Sequence, residues 1–217
     1  MALTKFNFNS FDVTPAASKG LGFNASANGF STIDPGSMTL IKTLTASSDS
    51  TISFVHGSSD VVLDSTYPVY LFKYINCHPS AASTLSFNGS IDTGSNYNVT
   101  KTSNSFYALN KENDSSTALS VNIYQDLAQA TGVQGLIGTL ATDNDSSGSG
   151  ELYIFNPSST TFVKQYIAIA NGSNAQSVNS YTTGYFNTTS AIDAIQFSMS
   201  TGNIDSGTIK LYGISDS

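Results

Sequence analysis

A chain of 217 residues with 39% hydrophobic and only 11% charged side chains is long enough for one β domain with a full core, and its Ser, Thr, Asn and Gly content excludes a mainly helical protein. Eight Lys, no Arg and a formal net charge of -7 exclude a nucleic-acid binder, which needs clustered cations to meet phosphate. The sole cysteine, Cys77, excludes an intrachain disulfide framework.

Residues 1–36 stand apart as an extended Phe-rich N-terminal arm. Phe6, Phe8, Phe11, Phe23 and Phe30 are spaced among small polar residues and are the candidate assembly contacts, single aromatics that dock into pockets. Residues 37–217 are expected to form the β-sandwich. Met38–Thr45 and Thr51–Gly57 read as a hairpin around a Ser-rich turn. Tyr67–His78, the densest apolar run, reads as a central strand, with Pro68 tolerable at its start. Leu85 and Phe87 share a face in the next run, and two alternating runs, 98–109 and 116–124, flank a polar turn. The region 125–150 is the least strand-like, with Asp126 a candidate cap for one helical turn. Strand character resumes at 151–155, 161–170 and 181–187. The chain closes with Ile195, Phe197 and Met199 alternating with polar residues, a Gly-bounded turn, and Ile209 and Leu211 alternating again, which reads as a closing hairpin. Short strands at this spacing define an all-β, single-domain antiparallel β-sandwich.

Signals for chemistry are sparse. Asp143-Asn144-Asp145-Ser146-Ser147-Gly148 matches the first half of a calcium loop, with Glu151 as a further oxygen, but the twelfth place is Ile154. Asp143, Asp145, Ser147 and Glu151 are therefore a weak calcium candidate, and the expectation is no cofactor and no other metal. Gly20-Leu21-Gly22-Phe23-Asn24-Ala25 has the outline of a dinucleotide fingerprint without the following helix. His56 and His78 lack partner spacing, no nucleophile motif is present, and Glu112 and Glu151 are the only glutamates, so no catalytic residue is assigned and the expectation is not an enzyme. The 11 Tyr and many Asn leave carbohydrate binding open, with loops 125–150 and 171–180 as the recognition end. No charged-then-apolar leader is present, and no apolar run approaches the ~20 residues of a membrane span, so the expectation is cytoplasmic synthesis without export.

The strings LIKTLTASSDSTISFVHG, VYLFKYINCHP, DLAQATG, GELYIFNPSSTTFVKQYI and GYFNTTSAIDAIQFSMSTGNIDSGTIKLYGI, in this order, resemble the jelly-roll-like virion structural proteins of tailed phages of marine bacteria, such as those infecting cyanobacteria and SAR11-type hosts. The resemblance covers about Met38 to Ile214 and its motifs are structural. It implies a non-enzymatic component of the particle, made in the host cytoplasm, and the acidic, Arg-free composition suits its exterior better than a place facing packaged genome. That component would be a capsid decoration or cement protein attached through the arm. Its partners would be copies of itself, a trimer being favoured, and other virion proteins such as the major capsid protein, with no nucleic acid and no membrane span. The alternative is a tail-associated module that binds a host glycan.

Overall fold

The computed structural model describes residues 20–24, 26, 28–33 and 36–215, which fall into two compact units divided in sequence between Thr39 and Leu40. In the first unit, β1 (Gly20–Phe23) and β2 (Phe30–Ile33) pair antiparallel. Phe23 and Phe30 sit opposite each other with rings stacked at 5.2 Å, and Asn24 and Asn28 hydrogen-bond across the turn. Over this stretch the expected extended arm is a folded hairpin, because a facing aromatic pair and an Asn-closed turn favour local pairing over extension. Phe6, Phe8 and Phe11 lie outside the described residues.

The remaining strands are β3 (Met38–Asp49), β4 (Thr51–Val55), β5 (Val69–Pro79), β6 (Leu85–Ser90), β7 (Lys101–Lys111), β8 (Thr117–Val121), β9 (Gln134–Gly135), β10 (Gly148–Phe155), β11 (Lys164–Ser173), β12 (Gln176–Phe186), β13 (Ala194–Met199) and β14 (Ile204–Ile214). They form an eight-stranded sheet, β3-β14-β5-β10-β11-β12-β7-β8, and a four-stranded sheet, β4-β13-β6-β9. The protein is all-β, a sandwich of these two sheets. Without the hairpins β7-β8 and β11-β12, each sheet pairs early strands with late ones, in the orders β3-β14-β5-β10 and β4-β13-β6-β9. That is jelly-roll connectivity. The two inserted hairpins extend only the larger sheet, on its β10 side.

The core lies between the sheets. Phe197 on β13 is its hub, with ring centroids 5.5 Å from Phe72, 6.3 Å from Phe54 and 6.5 Å from Phe87. Phe87 in turn meets Tyr166 edge-on at 5.2 Å and Phe186 at 6.0 Å. All six rings are fully buried. Each contributes on the order of 1.5–3 kcal/mol by burial, with a smaller increment from edge-to-face geometry.

Two expected hairpins are not hairpins. β3 and β4 lie in different sheets, and so do β13 and β14. Their short turns carry the chain across the sandwich instead of back along one sheet. The physical reason is that period-two alternation marks which residues face the core without marking from which side they reach it. Phe197 of β13 and Leu211 of β14 both enter one core from opposite sheets. The central position of β5, between β14 and β10, follows the expectation from its apolar run. β5 and β14 pair through two register shifts near Asn76 (φ 50°) and Gly207 (φ 126°). A Cβ at Gly207 would lie 2.7 Å from the Cys77 Cα, so glycine is required by both conformation and space.

Candidate functional sites: an apolar sheet edge and a neutral cleft

The larger sheet is twice as wide as the smaller in strand number, and the consequences appear at β12, β7 and β8. On its outer face, one cross-strand rung reads Lys210, Lys73, Glu151, Ile169, Tyr181, Phe106 and Val121. It is ionic over the middle of the sheet and apolar toward the edge. Lys73 Nζ lies 3.9 Å from Glu151, whose other oxygen accepts a bond from the Tyr153 hydroxyl at 2.5 Å. That bond to a carboxylate pushes the phenol up to about 12. Toward the edge, Phe106 and Tyr181 stack at 4.9 Å with planes 7° apart, both reachable from solvent. β8 ends the sheet with Leu119 76% and Val121 60% exposed, and Ile123, also exposed, follows in the next turn. An exposed apolar edge strand that, among the described residues, has no further strand beyond it in its sheet is a pairing surface.

On the inner side of the same strands, the smaller sheet stops short. Tyr107 and Leu109 of β7 and Val178 and Ser180 of β12 face inward and are covered instead by the segment 122–139. That segment is tied down by Asn122 N donating to Ser105 O at 2.8 Å and by Asn174 Nδ2 donating to Thr139 O at 3.1 Å. Asp126, expected to cap a helical turn, instead accepts the backbone N–H of Ser105 at 2.6 Å, at the end of the β7-β8 pairing. A cap needs a helix N-terminus, and none forms there. The bridging leaves a cleft of about 560 Å³. Its lining combines hydroxyl and amide groups of Tyr107, Asn122, Tyr124, Gln125, Gln176 and Ser180 with the apolar Leu109, Leu127, Val133 and Val178. No Asp, Glu, Lys or His contributes. Ser180 is 1% exposed, and its hydroxyl has no hydrogen-bond partner; the Gln125 Oε1 is also unpartnered.

Two lysines are fully buried on the inner face of the larger sheet, in one rung with Phe186 between them. Lys101 Nζ donates to Asn88 Oδ1 at 2.5 Å and Val99 O at 2.9 Å; Lys164 Nζ donates to Ser190 O at 2.5 Å and Thr188 O at 3.1 Å. Among the described residues neither meets a carboxylate. Burial lowers the Lys101 ammonium to about 8 and moves Lys164 in the same direction. Their carbonyl partners cross-tie strand ends, so they are structural cations outside the cleft.

The calcium candidates are not gathered into a cage. Asp143 and Asp145 are exposed in the turn before β10, and their backbone oxygens bond His78 Nε2 at 3.2 Å and the Ser173 hydroxyl at 3.1 Å. Ser147 N donates to Ser173 Oγ, and Glu151 is engaged by Tyr153 and Lys73 on the outer face. Among the described residues no three His, Cys, Asp or Glu side chains form a metal-sized cluster. His56 Nδ1 accepts the Leu63 N–H at 3.1 Å, a turn contact. Of the expected recognition loops, 125–150 lines the cleft in part, but 171–180 is mostly strand, belonging to β11 and β12 around a two-residue turn at Asn174 and Ala175. Polar residues there read as a loop because their apolar partners face inward only at every second place.

Sequence reasoning did not single out Leu119, Val121, Tyr107 or Ser180. Alternation alone marks all four as ordinary strand residues, and only the unequal widths of the two sheets leave them uncovered or facing a cleft. No protein-family model matches the chain, and neither a curated protein nor a solved structure is significantly similar to it. The fold and these sites therefore carry the functional argument.

Proposed function

We propose that this chain is a non-enzymatic structural protein of a virus particle, displayed on the exterior of the capsid as a decoration or cement component and assembled with copies of itself. The observation that carries the reading is the exposed apolar edge at β8, with the Phe106–Tyr181 stack beside it, on a rigid jelly-roll body. A sheet edge left with free backbone groups and large apolar side chains favours strand addition or face packing by a neighbour. The acidic, Arg-free composition suits a position away from packaged nucleic acid. Attachment to the shell is assigned to the N-terminal segment.

The test is the copy number of this chain in purified particles, measured by quantitative mass spectrometry against the major capsid protein. A ratio near one per capsid subunit supports decoration. A few copies per particle would move the chain to the tail and favour receptor binding, and absence from particles would overturn the proposal.

A further inference from the structure

We propose that the cleft between β7, β12 and the 122–139 segment is a binding site for a neutral saccharide unit of a glycan. This goes beyond the assembly reading and does not depend on it. Three features converge. The cleft's volume of about 560 Å³ falls within the ~300–1,000 Å³ range of small-ligand sites. Its lining alternates apolar patches with hydroxyl and amide groups and carries no charge, which matches a pyranose: C–H faces for Leu109 and Val133, hydroxyls for Gln125 and Gln176. And the site holds polar capacity that the protein itself leaves unused. The Ser180 hydroxyl at the cleft wall has no partner, a costly state for a buried group and one that rotation of a serine about χ1 relieves when a ligand hydroxyl arrives.

Competing ligand classes fit less well. A phosphate or carboxylate ligand would meet no cation in the lining, on a chain of net charge -7. An acyl chain would leave the amides and hydroxyls unpaired on entry. Tyr124, 93% exposed at the mouth, is placed to stack on a sugar face at little cost to the fold.

The experiment uses the isolated full chain. Saturation-transfer NMR is run with the methyl glycosides of mannose, glucose, galactose and N-acetylglucosamine, followed by an array of neutral and acidic glycans. At least one neutral sugar is expected to bind. Tyr124→Ala is expected to weaken it about tenfold and Ser180→Ala about fivefold, the losses of one stacking and one hydrogen-bonding group. Ser180→Ala should leave the melting temperature unchanged or higher, because it removes an unpaired buried hydroxyl, so lost binding cannot be ascribed to unfolding. The proposal is overturned if no neutral glycan binds, if only acidic glycans bind, or if binding survives both substitutions. Because particles are not involved, these results are separable from those of the copy-number test.

Discussion

The eight-stranded sheet has two halves that differ in what covers them. Around β14, β5, β10 and β11 the four-stranded sheet lies opposite, and the space between is filled by interlocking rings centred on Phe197. Beyond the Phe186 and Lys101 ends of β12 and β7, which still meet β6, the opposing sheet runs out; a non-repetitive segment bridges the inner face, leaving a cleft, and the outer face and edge expose Leu119 and Val121. The same alternating strands thus give a close-packed core where they are matched and interaction surfaces where they are not. Stability should reside in the first half and recognition in the second.

Substitutions can break that division at either end. Phe197→Ala, in the matched half, should cost about 3–5 kcal/mol in urea unfolding, since it empties the contact point of four rings. A loss below about 1 kcal/mol would mean the core is not organised around this ring.

Lys101 gives the next largest effect, visible in pH dependence. Its amine titrates near 8 when folded, against about 10.4 for an exposed lysine, so the unfolded chain binds more protons in between. The burial cost is therefore fully present below pH 8 and is relieved as pH rises toward 10.4. Relative to Lys101→Met, the wild type should gain about 3 kcal/mol between pH 7 and 10.4. A pH-independent difference between the two proteins would show that the amine is not desolvated.

In the unmatched half the effects on folding should be small. Ser180→Ala should be neutral or stabilising by about 1 kcal/mol, the relief of one unsatisfied hydroxyl. The pair Leu119→Lys and Val121→Lys should change stability by less than about 0.5 kcal/mol, as expected of exposed positions. The same pair should abolish self-association in sedimentation velocity. If the charged variants associate as the wild type does, the β8 edge is not the assembly surface.

Much of the fold is legible in the residues themselves. The apolar run of β5 places it centrally, the alternation of Ile195, Phe197 and Met199 marks their core face, and Gly207 marks a place where the backbone must depart from a regular strand. The candidate sites are much less legible. The cleft draws its walls from Tyr107, Gln125 and Ser180, brought together by β7-β12 pairing and by the bridging segment, and none of them lies in a local motif. The acidic loop at 143–148, which does look like a motif, is tied through its backbone carbonyls to His78 and Ser173, residues far from it in sequence.

What the chain's order of residues determined by itself is the all-β class, the inward face of most strands and the need for an opposing layer, because period-two burial is a local property. What only the tertiary structure decided is which sheet each strand joins, and hence that β13 and β14 face one another across the core instead of pairing. It also decided where the larger sheet outruns the smaller. Those outcomes depend on strand pairings between residues far apart in sequence, whose energies are set by packing across the sandwich and leave no trace in a local pattern.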